Sequence, residues 1–230
     1  MIRFESVTFF YQKGEPVFKG LDLEIGTGLT LVLGVNGSGK STLLKLAAGV
    51  EHPDAGAVFV GGCDLWKDEI AARRGLAYLP EFPDLSPYAT IREICDFVCR
   101  LRGEPVVRGR EALEVFGLGP YAHRSVRELS LGQKRRATLA AAWIGSPTHL
   151  LLDEPLEALD RKVREAALAW IFRLAELGAA VLVVSHEIDP FLDRAERAVG
   201  LAGGRPTVVA PLPERREDRA ALLENLARSG

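Results

Sequence analysis

The stretch Gly34-Val-Asn-Gly-Ser-Gly-Lys-Ser-Thr42 combines the residue types that hold a polyphosphate. It follows an apolar run, Leu29–Leu33, and precedes a helical pattern, Leu43–Ala48. Strand, glycine loop and helix in that order are the setting of a phosphate-binding P-loop. Gly34, Gly37 and Gly39 let the backbone curl so that successive N–H groups face inward at a helix N-terminus, with Asn36 and Ser38 completing the loop. In that arrangement Lys40 reaches the β- and γ-phosphates, the Ser41 hydroxyl ligates Mg²⁺, and Thr42 serves the α-phosphate end. The plainer alternative is a glycine turn with no ligand. The flanking strand and helix favour a bound nucleoside triphosphate.

Asp153 and Glu154 follow a second apolar run, Thr148–Leu152. In open parallel sheets, ligands sit beyond the carboxyl ends of the strands, where this pair would stand. Phosphoryl transfer needs an acid to hold Mg²⁺ and a group to orient the attacking water. Asp153 suits the first role and Glu154 the second. Next comes Leu129-Ser-Leu-Gly-Gln-Lys-Arg-Arg136, in which Ser130 and Gln133 fit a helix capping box.

These residues resemble the ATP-binding-cassette (ABC) family. Its signature is Leu-Ser-Gly-Gly-Gln followed by a basic pair, about twenty residues before the second acidic motif. Here Ser130 stands 23 residues ahead of Asp153. The resemblance implies that Ser130, Gly132 and Gln133 at the helix start address the γ-phosphate of ATP held by a second copy. Exposed N–H groups and a helix dipole suit that anion. It also implies that Tyr11 stacks on adenine, that Asp160 contacts the partner subunit, and that His186 contacts the γ-phosphate. Tyr11 could instead pack locally on its strand, and Asp160 can also cap the helix that follows it. Two positions depart from the pattern. Leu131 stands where the family has glycine, which puts close backbone approach there in question. Glu81 stands where the family most often has glutamine; a carboxylate can still ligate Mg²⁺ but adds charge beside the γ-phosphate.

The elements that must position these groups are legible as alternation. Residues 2–11 and 17–25 read as strands, the second with Val17, Lys19, Leu21, Leu23 and Ile25 on one parity after a turn at 14–16. Strands are expected at 57–60, 75–79, 148–152, 179–184 and 198–201, and helices at 66–74, 161–177 and 189–196. Between Glu81 and Pro147 the periodicity turns helical, around 91–101, 110–116 and 130–144. The fold class is α/β: a P-loop NTPase core, mostly parallel sheet with helices on both faces. An N-terminal antiparallel β part and an inserted α-helical subdomain complete it. The expected division is a core at 1–80 and 148–210, helices at 81–147, and a charged, helical tail at 211–230.

Composition narrows the partners. Of the 230 residues 47% are hydrophobic and 26% charged, as in ordinary globular chains, and the net charge is −2, so nothing attracts nucleic acid as a whole. The arginines of the tail, Arg215, Arg216 and Arg219, are interleaved with acids and read as a solvated helix face. No apolar run reaches the ~20 residues that cross a bilayer, and the N-terminus lacks a signal-peptide pattern. Cys95 and Cys99, four apart on a helix, read as structural thiols, and with Cys63 they make no disulfide framework.

The resemblance, over roughly residues 2–205, implies an ATPase subunit of a membrane transporter. Two copies, alike or different, would sandwich two Mg·ATP at the cytoplasmic face of the membrane and drive permease subunits. Glu81 and Leu131 lean this reading toward export, with import as the alternative. A non-transport cassette would carry coiled-coil insertions or a duplicated cassette, and a small-molecule kinase would leave the signature and His186 without a role.

Overall fold

Leu29 to Leu33 is buried at every position, and so are Leu150–Leu152 and Val181–Val184. Strands covered on both faces read as continuous apolar runs, and here alternate side chains enter two separate cores. Leu29, Leu31, Leu33, Leu150, Leu152, Val181 and Val183 face one core; Val32, Leu151, Leu182 and Val184 face the other. A computed structural model describes residues 1–12 and 14–229; Gly230, the last of the expected tail, lies outside.

The first half runs β1 (Ile2–Gln12), β2 (Glu15–Ile25), β3 (Gly28–Leu33), α1 (Lys40–Ala48), β4 (Ala55–Val60), β5 (Cys63–Asp64), α2 (Glu69–Arg73) and β6 (Leu76–Leu79). There follow α3 (Ile91–Arg102), α4 (Val106–Val115), α5 (Leu131–Trp143), β7 (His149–Asp153), α6 (Arg161–Glu176), β8 (Ala180–Val184), β9 (Arg197–Ala202), β10 (Arg205–Val209) and α7 (Arg216–Arg228). Six strands form the central sheet in the order β10-β9-β3-β8-β7-β6, parallel except for β10. Four strands, β2-β1-β4-β5, form a second, antiparallel sheet. This is the P-loop NTPase architecture expected from the sequence.

Between the two sheets lies one core, filled by Leu43, Leu44 and Leu46 of α1 and by Phe4, Phe18 and Ile25 of the antiparallel strands. On the other face of the central sheet, Val163, Ala167, Trp170, Ile171 and Leu174 of α6 form the predicted stripe. That core continues into α3 and α4, where Cys95 and Cys99 pack against Gly109; a Cβ there would lie 3.2 Å from that of Cys95. Residues 81–147 contain three α-helices, two single 3₁₀ turns and no strand among the described residues. Thr90 and Glu93 cap α3 reciprocally.

Several elements differ from expectation. β2 begins at Glu15, inside the anticipated turn. Its parity breaks at Gly20, whose φ of +64° accompanies a register shift between the Val7–Leu21 and Phe9–Phe18 pairs. Phe18 is therefore buried and Lys19 exposed, against the alternation read for 17–25. The helix expected near 189–196 is a single 3₁₀ turn, Asp189–Phe191, and β10 was not anticipated. The tail is not merely a solvated face. Leu223 is fully buried, Leu226 sits where a side chain on Gly200 would collide with it, and Arg219 donates to the Leu192 carbonyl at 3.0 Å.

Docking of α7 therefore contributes to stability. Leu223→Ala is expected to lower unfolding free energy by about 2–5 kcal/mol in urea titration. The exposed Leu177→Ala should change it by less than about 0.5 kcal/mol.

Candidate nucleotide site

The loop after β3 turns on two glycines. Gly34 (φ +148°) passes so close to the Leu201 carbonyl that a Cβ would strike it, and a Cβ on Gly39 (φ +103°) would lie 2.9 Å from the Phe18 ring. Gly39 is also the N-cap of α1. It offers no capping side chain, and the first turn carries no acid. The opening N–H groups of the helix and the positive end of its dipole are thus left for an anion. Within the loop, the buried Ser38 hydroxyl has no hydrogen-bond partner among the described residues.

Lys40 is buried on the first turn, and its ammonium donates to the carbonyls of Gly34 at 2.8 Å and Val35 at 2.9 Å. Burial pulls its pKa down, while Glu154, Asp153 and Glu81 pull it back up. The same acids line a cleft of about 510 Å³ together with Tyr11, Asn36, Gly37, Gly39, Lys40, Ser41, Thr42 and His186. Gly34 and Ser38, though part of the loop, do not line the cleft. Val17 and Val184, not anticipated from sequence, supply apolar wall. Thr42 donates to the Tyr11 hydroxyl at 3.3 Å, and Tyr11 is half exposed with its ring edge-on to Phe9. Tyr11 is therefore both packed on its strand and open at the cleft mouth.

The carboxylates come from the ends of neighbouring strands. Asp153 closes β7 at 2% exposure; burial raises its pKa, with the Ser41 hydroxyl lowering it. Glu154 has a left-handed backbone, φ +49°, a conformation costing roughly 1–3 kcal/mol outside glycine. Its N–H donates to the Val184 carbonyl at 2.9 Å, anchoring the turn to β8. Its carboxylate accepts from the backbone N–H of His186 at 3.0 and 3.2 Å, while the exposed His186 ring stands 3.6 Å away. Burial raises the Glu154 pKa and that N–H opposes the rise. Ser41, Asp153 and Glu81 present oxygen donors in one cleft, which suits a hard cation such as Mg²⁺. The uncapped helix and the Lys40 ammonium suit a polyphosphate.

Ser130, Gly132, Gln133 and Asp160 do not line this cleft. Ser130 caps α5: its hydroxyl accepts from the Gln133 N–H at 3.3 Å, and the Gln133 side chain accepts from the Ser130 N–H at 3.0 Å. Leu131, the departing residue, is exposed on the first turn. Gly132 packs under the Ala158 carbonyl, where a Cβ would lie 3.1 Å away. Asp160 caps α6 through the Val163 N–H at 3.0 Å and pairs with Arg136 at 2.6 Å.

One residue escaped the sequence reading. Arg135, read there only as part of a basic stretch, is 3% exposed and donates to the carbonyls of Pro80, Glu81, Asp153 and Glu154. Its signal was periodic: Arg135, Thr138, Leu139 and Ala142 lie on the buried stripe of α5.

A glycine loop opening a helix, faced by two acids at the end of another strand of the same sheet, defines a P-loop nucleotide-binding protein. The sequence model of the ABC transporter family matches residues 18–157, and the chain belongs to that family as an ATP-binding cassette. It is 37% identical over 191 residues to the sulfate/thiosulfate import ATP-binding protein CysA of Mycobacterium bovis, covering 80% of this chain and 54% of that one. It is 36% identical over 208 residues to the molybdenum import ATP-binding protein ModC of Methylococcus capsulatus, covering 86% and 58%. The chain thus spans about half the length of the curated relatives it matches. A solved dimeric ATP-binding cassette in a post-hydrolysis state, bound to ADP and Pi, superposes with a TM-score of 0.81 at 28% identity, covering 93% of this chain and all of that one. No helix among the described residues is long and apolar enough to cross a membrane.

Proposed function

We propose that this chain hydrolyses ATP as one half of a two-cassette assembly and so drives transport through separate membrane subunits. The carrying observation is a divided site. Lys40, Ser41, Asp153, Glu154 and His186 converge on one cleft, while Ser130, Gly132 and Gln133 cap a helix outside it. The dimeric state of the superposed cassette supports the same reading.

In this reading Lys40 exchanges its two backbone carbonyls for the β- and γ-phosphates, and the first turn of α1 holds the remaining phosphate charge. Tyr11 receives the adenine. Ser41, Asp153 and Glu81 hold Mg²⁺, which when bound neutralises phosphate charge and leaves the γ-phosphorus open to attack. Glu154 accepts a hydrogen bond from water and so orients it in line with the leaving oxygen. His186, anchored to that carboxylate by its own N–H, turns its exposed ring to the γ-phosphate. The α5 N-terminus of a second copy, with Ser130, closes the site, and Asp160 lies at the contact between copies. Catalysis of this kind is positioning plus electrostatics.

For direction, the import functions named for the relatives at 36–37% identity outweigh the export leaning drawn from Glu81 and Leu131. We therefore propose inward transport, with the chain at the cytoplasmic face.

Glu154→Gln is expected to lower kcat by about a hundredfold or more while ATP still binds; turnover at the wild-type rate would overturn the assignment. The rate per subunit should rise with protein concentration, or require the membrane complex. A concentration-independent rate in a strictly monomeric preparation would sink the divided site. In proteoliposomes of the co-purified complex, cargo should move toward the cassette side when ATP is supplied there; movement away from that side would restore export.

A further inference from the structure

Arg135 is a buried cation with no carboxylate in direct contact among the described residues. Its guanidinium is spent on four main-chain carbonyls, two at the end of β6 and two at the end of β7. Its Nε atom is buried without a partner among the described residues. Enclosing a charge this way is expensive, and the carbonyls that offset the cost all belong to the strand ends at the cleft.

What the guanidinium holds is specific. The carbonyls of Asp153 and Glu154 both turn toward it, which two successive residues of a regular strand cannot do, because their carbonyls alternate. The left-handed backbone of Glu154 is what brings them to one side. Hydrogen bonds to an ionised donor are about twice as strong as neutral ones, enough to offset that conformational cost. The same side chain leaves α5 little more than one turn after Ser130. It therefore joins the helix that begins at Ser130 to the turn that aims the Glu154 carboxylate, and also to the backbone of Glu81.

We infer that Arg135 is a positioning residue for hydrolysis: it holds Glu154 in its strained turn and couples that turn to the helix carrying Ser130. The inference deepens the function proposed above and rests on Glu154 being the water-orienting carboxylate. Arg135 itself does not line the cleft. The planar guanidinium links the start of α5 to the Glu154 backbone with no intervening loop.

The test uses Arg135→Lys, which keeps the charge but loses the fork, and Arg135→Met, which keeps the volume alone. Each is made in the wild-type chain and with Glu154→Gln, and ATPase rate and ATP affinity are measured separately. In the wild-type background kcat should fall by about a hundredfold, the scale of an ångström-sized misplacement, with the Kd for ATP changed by less than about twofold. With Glu154→Gln in place, the same substitutions should change the residual rate by less than about threefold, since the two residues act as one unit. Three results would overturn the inference: kcat within about threefold of wild type, an equal loss with and without Glu154, or unfolding of both variants. If Glu154→Gln alone turned over at full rate, the reading of the site would fail; if it did not but Arg135→Lys did, only this inference would.

Discussion

Charge held away from water is the constraint around which this molecule is arranged. Lys40, Asp153 and Arg135 are all nearly inaccessible, and Glu154 is largely so. Each would be costly to hold at that depth without partners. The parallel sheet answers the problem geometrically. Its strands end together at one edge, so β3, β6, β7 and β8 deliver a glycine loop, Glu81, the Asp153–Glu154 pair and His186 to the same place. Carbonyls of the loop take up the Lys40 ammonium on one side, and carbonyls of the strand ends take up the Arg135 guanidinium on the other. The acids at the strand ends thus lie between the Lys40 ammonium and the Arg135 guanidinium.

The two cores follow from the same edge. To present loops at one end, the strands must be buried along their length, and residues of opposite parity feed opposite layers. One layer carries α1 and the antiparallel strands, fixing the phosphate loop. The other carries α6 and runs on into α3, α4 and α5, so that the helix beginning at Ser130 and the strand ending at Asp153 share one packed body. Packed interiors transmit displacement instead of absorbing it, which is why chemistry at the strand edge and movement of the outer helices need not be separate events.

What could be read from the sequence was whatever local chemistry decides. The glycine loop, the Ser130–Gln133 cap, the Asp160 cap and the buried strands each follow from a few adjacent residues, and each forms where those residues stand. What escaped depends on distant partners. Gly20 offers no sign of its bulge until β1 is laid beside it, and the parity read through Lys19 fails there. β10 is short and exposed, with Pro206 inside it, so its pattern resembles loop. The tail reads as charged and helical, and the burial of Leu223 shows only where β9 supplies the surface the helix covers. Arg135 was hidden by its own type, because a basic run is ordinarily solvated and only the helix stripe marks this one as interior. The export leaning had a different weakness: it rested on two side chains, whereas likeness across most of the chain runs to import proteins.

The reciprocal cap at Ser130 carries a thermodynamic corollary. With the Ser130 hydroxyl and the Gln133 amide already engaged, the start of α5 is ordered within the single chain. In the two-cassette assembly proposed above, the meeting of two such surfaces would lack the conformational-entropy loss that attends segments which fold as they bind. Its heat-capacity change would track only the apolar area that the two faces cover, and its speed would be set by how rigid bodies collide and align.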